Sequence, residues 1–152
     1  MAGLVVWGLK RHYKNNALVS DVLKISNVIT SDSLFVYNIR KSHMRTAVLY
    51  FSTDCDYCKK EIEGILSCWN ECKNVQWVFY TLATQDELDN FTKEYPIENI
   101  PDSFIIREDY PDLYLKLKFT SPPSLYIYDK NGKISRMYKG ATSVNKIVED
   151  LQ

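Results

Sequence analysis

The 152-residue sequence has no excess of charge of either sign, because nineteen basic residues balance nineteen acidic ones. No basic stripe runs along any segment, so the pattern expected of a nucleic-acid-binding protein is missing and no nucleic-acid partner is predicted. Glycine and proline are scarce, at five residues each, which excludes a fibrous or disordered chain. We therefore predict a single domain over residues 1–152, long enough to fold around a core without disulfide bonds.

Long hydrophobic runs are also absent. The apolar segment from Leu4 to Leu9 is too short to span a bilayer. Basic residues follow this segment, whereas in a signal peptide they precede the apolar stretch. We therefore expect the segment to pack on the domain, and we identify no targeting signal in the sequence.

Only four cysteines are present, too few for a scaffold held by disulfides. They form two close pairs, Cys55/Cys58 and Cys68/Cys72, and such pairs are typical of redox chemistry or metal binding. The interval from Cys58 to Cys68 is ten residues, which corresponds to about 15 Å along a continuous helix. Because zinc–sulfur bonds are only about 2.3 Å long, we predict no metal site shared by the two pairs. A structural pair without redox activity is the alternative.

Apolar runs and helical periodicity alternate along the chain. Strands are predicted at 34–39, 47–51, 75–80, 104–106, 124–128 and 133–138. Helices are predicted from the capping residues 52–54 to about Cys72, and over 84–95, 109–117 and 143–151, whereas 17–25 fits either element. Asn131-Gly132 is a strong hairpin signal, so the last two strands are antiparallel. The pattern predicts an α/β fold with a mixed central sheet flanked by helices.

The pair Cys55 and Cys58 spans the predicted start of the first of these helices. Two intervening residues let the sulfurs approach bonding distance, and the free N–H groups of a helix N-terminus stabilise a thiolate. Because a thiolate is the attacking species in disulfide exchange, we predict Cys55 as the nucleophile and the more buried Cys58 as the resolving cysteine. Asp54 and Asp56 flank Cys55, and their negative charges oppose thiolate formation.

Glu61 lies three residues after Cys58, on the same side of the predicted helix. It is predicted either to accept the Cys58 proton as the disulfide resolves or to be an exposed carboxylate that only favours the helix N-terminus. For Cys68 and Cys72, buried packing is the first interpretation and a second disulfide is the alternative.

Two prolines, Pro122 and Pro123, directly precede the predicted strand 124–128. Proline cannot donate a hydrogen bond to a sheet, so it fits the first position of a strand. A cis bond at this point would turn the preceding carbonyl toward the cysteine pair, where an extended substrate could pair with it.

Three stretches of the sequence are distinctive together: F-S-T-D-C-D-Y-C-K-K-E-I from Phe51, S-P-P-S-L-Y-I-Y-D-K-N-G-K from Ser121 and K-G-A from Lys139. Over residues 45–152 the chain thereby resembles the TlpA/ResA-type branch of the thioredoxin superfamily. The resemblance implies a thioredoxin fold with an N-terminal extension (1–44), a core (45–152) and a central αβ insertion (84–117). It also implies an extracytoplasmic thiol–disulfide oxidoreductase, membrane-anchored in many members, that reduces partner proteins.

The resemblance also implies roles for single residues. Pro123 matches the cis-proline of the family, and Glu61 matches an acidic residue that handles protons near the buried cysteine. Four residues are then expected to contact the substrate: Asp56 and Tyr57, which lie between the two cysteines, and the proline pair Pro122 and Pro123.

No cofactor is implied beyond the redox-active disulfide Cys55–Cys58. The implied partners are protein disulfides or dithiols and an upstream membrane or periplasmic electron donor, and the implied state is a monomer. Three positions depart from the family, which usually has Trp at Asp54, Pro at Tyr57 and Thr at Pro122. These departures leave the redox potential open and keep a second hypothesis, a redox-inactive thioredoxin-like module that binds a partner protein.

Overall fold

The computed structural model describes residues 4–7, 44–72 and 74–152. The predictions for 17–25 and 34–39 lie outside the described residues. Within them, six strands form one sheet: β1 (Leu4–Trp7), β2 (Arg45–Tyr50), β3 (Val75–Thr81), β4 (Ser103–Glu108), β5 (Ser124–Tyr128) and β6 (Ile134–Lys139).

The order of the strands across the sheet is β1-β4-β3-β2-β5-β6. The three central strands β4, β3 and β2 are parallel, whereas β1, β5 and β6 are each antiparallel to a neighbour. The predicted mixed sheet is therefore confirmed. Because β2 and β3 are parallel, their carboxyl ends, at Tyr50 and Thr81, lie at the same edge of the sheet.

Four α-helices are described: α1 (Asp56–Cys68), α2 (Gln85–Glu94), α3 (Asp112–Lys116) and α4 (Val144–Leu151). Buried side chains of α1, α2 and α4 pack in one cluster against one face of the sheet. The opposite face packs against α3 and the segment that follows it. The sheet is thus covered on both sides, as the alternation of strands and helices predicts.

The burial of β2 on both faces explains its continuous apolar run. Ala47 and Leu49 belong to the cluster under α1, while Val48 and Tyr50 belong to the cluster on the opposite face. Successive side chains of a strand point to opposite faces, so a central strand covered on both sides needs apolar residues at every position.

The structure corrects the predicted end of the first helix. Helix α1 ends at Cys68 rather than near Cys72, and a 3-10 turn follows over Trp69–Glu71. The Cys72 N–H donates to the Trp69 carbonyl at 3.0 Å, and Asn74 adopts a left-handed φ of 59°. This tighter turn redirects the chain into β3 and buries the Cys72 side chain.

Two further elements differ from the predictions. Helix α3 begins at Asp112 rather than Asp109, with Pro111 as its N-cap. The Glu108 carboxylate, at the end of the preceding strand, accepts the Leu113 N–H at 3.0 Å and so satisfies one N–H group of the first turn. Residues Leu4–Trp7, within the apolar segment near the start of the chain, form the edge strand β1, which the sequence pattern did not predict as a strand.

Gly64 lies where α1 packs against α4, and a Cβ added there would be 2.9 Å from Cβ of Val144. We expect Gly64→Ala to lower the free energy of unfolding by about 1–2 kcal/mol, because overpacking outweighs the gain of roughly 1 kcal/mol that alanine brings to a helix. Urea unfolding would measure the loss. The double variant Gly64→Ala/Val144→Ala should recover most of it, and an unchanged single variant would contradict this close packing.

Candidate active site

Cys55 is the N-cap of α1, directly after the loop that leaves β2. Its backbone is extended, with φ −89° and ψ 111°, and its sulfur accepts the Cys58 N–H at 3.2 Å. The prediction that 52–54 supplies the cap is therefore wrong, because Ser52 donates its hydroxyl to the Asp54 carboxylate instead. The first turn of the helix thus directs an N–H group at the Cys55 sulfur, which favours negative charge there.

The second cysteine of the pair, Cys58, is fully buried, whereas Cys55 is partly exposed. Burial raises the pKa of the Cys58 thiol, and its hydrogen bond with Cys55 acts in the same direction, while a hydrogen bond from the backbone of Ser52 opposes both. Cys58 is therefore a protonated thiol that needs a base before it can attack. Both cysteines carry free thiols in the structure.

Glu61 is buried, with 4% of its surface exposed. One carboxylate oxygen accepts the Thr142 N–H at 3.0 Å, and the other has no hydrogen-bond partner among the residues that the structure describes. Burial raises the pKa of Glu61 to about 7, although the Thr142 hydrogen bond partly opposes the rise. The interpretation of Glu61 as an exposed first-turn carboxylate is therefore wrong, and a buried base that titrates near neutral pH lies one turn from Cys58.

The proline pair lies against the nucleophile. The Pro122–Pro123 peptide bond is cis, and the Cys55 thiol donates to the Pro122 carbonyl at 3.9 Å. The Pro123 carbonyl accepts the Gly140 N–H at 2.9 Å. The structure thus brings Pro122 and Cys55 together, although 67 residues separate them in the sequence.

The remaining residues singled out in the sequence lie at the rim of the site. Asp56 and Tyr57 occupy the first turn of α1 and are exposed, with 67% of the Tyr57 surface accessible. The hydrogen bond from Ser52 lowers the pKa of the Asp54 carboxyl. Beside this loop is a cleft of about 220 Å³ that sequence reasoning missed, and Asp54 and Glu87 both line it.

Cys68 and Cys72 lie at the far end of α1 from the redox pair. Both are buried in the core cluster under α1. Burial raises the pKa of Cys68, and it raises the pKa of Cys72 to about 11. These properties fit the packing interpretation. Across the described ranges, no three His, Cys, Asp or Glu side chains are grouped so that they could hold a metal ion.

Comparison with known proteins agrees with this architecture. A thioredoxin-like domain model matches residues 36–152. The chain belongs to the thioredoxin-like family. No curated protein matches the sequence itself. Among the helices that the structure describes, none is long and apolar enough to cross a membrane.

Several solved structures share the fold of this thioredoxin-like chain. StoA from Bacillus subtilis is 18% identical with a TM-score of 0.61, and the match covers 73% of this chain and 84% of StoA. DsbF of Mycobacterium tuberculosis, seen in mixed oxidized and reduced forms, is 14% identical with a TM-score of 0.64 and coverages of 78% and 87%. A secreted disulfide oxidoreductase of that organism, homologous to DsbE of E. coli, is 11% identical with a TM-score of 0.65 and coverages of 76% and 84%. These matches confirm the predicted thioredoxin fold.

Proposed function

We propose that the protein is a thiol–disulfide oxidoreductase that reduces disulfide bonds of partner proteins. The observation that carries the proposal is the position of the Cys55 sulfur, which is partly exposed and accepts the Cys58 N–H at the start of α1. The Cys58 N–H and the positive end of the helix dipole therefore both face the sulfur that attacks. An accessible thiolate beside a buried second thiol is suited to exchange with a disulfide.

In the first step, the Cys55 thiolate attacks one sulfur of the partner's disulfide. The partner's S–S bond breaks, a new S–S bond joins Cys55 to the partner, and the other partner sulfur leaves as a thiolate that takes a proton from water. The Pro122 carbonyl, 3.9 Å from the Cys55 sulfur, can accept an N–H of an extended partner segment. Pro123 and the exposed Asp56 and Tyr57 complete the proposed contact surface.

In the second step, the Cys58 thiol loses its proton and attacks the Cys55 sulfur. Because burial raises the pKa of Cys58, the step needs a base, and we assign this role to the buried Glu61. The mixed disulfide breaks, the partner leaves as a dithiol after protonation, and a Cys55–Cys58 disulfide remains. Two electrons have then passed to the partner, and an external dithiol donor returns them.

The names of the structural neighbours support the finer assignment to the TlpA/ResA-type branch. One neighbour is described as a secreted disulfide oxidoreductase homologous to DsbE. Within the proposal, this protein acts as a monomer outside the cytoplasm, and its electron donor is a membrane or periplasmic protein. The residue range 84–117 is then the central insertion that distinguishes the branch.

The reduction potential of the Cys55/Cys58 pair tests the proposal. Equilibration with dithiothreitol mixtures, followed by thiol trapping and mass spectrometry, should give one reversible two-electron transition near the value of thioredoxin, about −270 mV. The variant Cys68→Ala/Cys72→Ala, which retains the proposed redox pair, should give the same value. A chain with no reversible transition would instead support the redox-inactive binding module.

A further inference from the structure

The segment that carries Pro122 is held by hydrogen bonds from several elements. We call residues 118–123, which join α3 to β5, the proline loop. Four of its carbonyl groups accept hydrogen bonds: Lys118 from the Tyr126 hydroxyl at 3.1 Å, Thr120 from the Tyr114 hydroxyl at 2.7 Å, Ser121 from the Ser124 hydroxyl at 2.7 Å and Pro123 from the Gly140 N–H at 2.9 Å. The Pro122 carbonyl is the one that faces the Cys55 sulfur.

The backbone of Tyr114 is hydrogen-bonded to a buried pair of side chains, Tyr80 and Glu108. Its backbone N–H donates to the Tyr80 hydroxyl at 3.2 Å, and the Tyr80 hydroxyl donates to the Glu108 carboxylate. That carboxylate also accepts the Leu113 N–H at 3.0 Å. Tyr80 and Glu108 are buried on adjacent parallel strands. The first turn of α3, and with it Tyr114, is thereby fastened to the sheet.

Ring packing connects the proline loop to the strand that precedes the nucleophile. The Phe119 ring lies 5.2 Å from the Tyr50 ring and 5.7 Å from the Tyr80 ring, measured between centroids. The Tyr114 ring also packs edge-on against Tyr50 at 5.3 Å. Tyr50 is the last residue of β2, five residues before Cys55. One aromatic cluster therefore contacts α3, the proline loop and β2 together.

We infer that Tyr114 is a positioning residue for the redox site. Its backbone is anchored through Tyr80 and Glu108, and its hydroxyl holds the proline loop so that the Pro122 carbonyl is presented beside Cys55 to the backbone of an extended partner. The inference rests on the proposed function, and it adds Tyr114 as the residue that positions the Pro122 carbonyl. A carbonyl that is held in place before binding loses less conformational freedom when the partner docks.

A purely structural role for Tyr114 would have a different consequence. It would affect every disulfide substrate alike, because loss of the fold disturbs Cys55 and Cys58 themselves. A positioning role affects only substrates that have a peptide backbone to pair with the Pro122 carbonyl. The comparison of a peptide disulfide with a small aromatic disulfide that has no peptide group therefore separates the two roles.

The test is Tyr114→Phe, which keeps the ring and deletes the hydroxyl. We expect KM for a disulfide-bonded peptide to rise about three- to tenfold, as for the loss of one hydrogen bond, with kcat changed less. The reaction with dithiobis(nitrobenzoate), a small aromatic disulfide, should keep the wild-type rate. The melting temperature should fall by only a few degrees, as for the loss of one intramolecular hydrogen bond. Tyr110→Phe, at an exposed tyrosine just before α3, is the matched control and should leave all readouts unchanged.

Tyr126→Phe provides a second test, because it deletes the hydroxyl that binds the Lys118 carbonyl at another point of the proline loop. It should raise the peptide KM in the same selective way, even if Tyr114→Phe proves unstable. Equal losses on both substrates, or no change while the wild type is active, would overturn the inference and leave the proposed function intact. A wild type inactive on both substrates would overturn the proposed function, and this inference with it.

Discussion

Serine in place of Cys58 is expected to convert turnover into covalent capture of the partner. Cys55 keeps its place at the N-cap of α1 and its exposure, so it still attacks a peptide disulfide. The mixed disulfide then has no neighbouring thiol to resolve it, since Cys68 and Cys72 are buried at the other end of α1. The steady-state rate of peptide-disulfide reduction should fall by roughly a thousandfold or more, because Cys58 and the nucleophile Cys55 act together in one catalytic cycle. Intact-protein mass spectrometry should show one peptide bound per chain.

Two matched variants locate the captured peptide. Cys55→Ser should form no adduct, because Cys58 is fully buried and cannot reach a substrate. Cys68→Ala/Cys72→Ala should turn over at the wild-type rate, since that pair lies at the other end of α1. An adduct on Cys55→Ser would contradict the assignment of Cys55 as the nucleophile. Loss of activity in a folded double variant would instead contradict the packing interpretation of Cys68 and Cys72.

Local sequence patterns predicted the elements that build the redox pair. The apolar run at 47–51 is a central strand because both of its faces are covered. Helical spacing predicts one apolar face made of Cys58, Ile62, Ile65, Leu66, Trp69 and Cys72. Four of these are buried and Leu66 is partly buried, whereas the prediction is wrong for Trp69, which is exposed because the helix ends before it. These features depend on residues within a few turns of one another, which is the range over which periodicity is informative.

The features that the sequence did not reveal depend on contacts between distant segments. The burial of Glu61 follows from the loop before α4, whose Thr142 N–H binds the carboxylate across 81 residues of sequence. The hydrogen bonds from Leu113 to Glu108 and from Tyr114 to Tyr80 require strands that become neighbours only in the folded sheet. Capping preferences point to 52–54 rather than to Cys55 because they rank oxygen acceptors, and a cysteine sulfur is a weaker acceptor that they do not include.

Replacement of Glu61 by glutamine is expected to change the pH dependence of stability. Burial raises the pKa of Glu61 to about 7, from an ordinary value of 4.5, so the folded state holds this proton more tightly than the unfolded chain. The contribution of protonated Glu61 to the free energy of unfolding is fully present below pH 4.5 and is lost as the pH rises through 7. Relative to Glu61→Gln, the wild type should lose on the order of 3 kcal/mol of unfolding free energy over this range. Urea unfolding at several pH values measures the difference.

The same substitution should slow the second chemical step. Glutamine can still accept the Thr142 N–H but cannot take the Cys58 proton. Release of the peptide from its mixed disulfide with Cys55, which Cys58 resolves, should therefore slow by about a hundredfold above pH 7. In the wild type this rate should rise with pH around 7, as Glu61 becomes a carboxylate, and the variant should lack that rise. Glu63→Gln, at an exposed position of the same helix, is the matched control. If Glu61→Gln released the peptide at the wild-type rate across this pH range, water or another group would have to be the base, and the buried carboxylate would have no part in proton transfer.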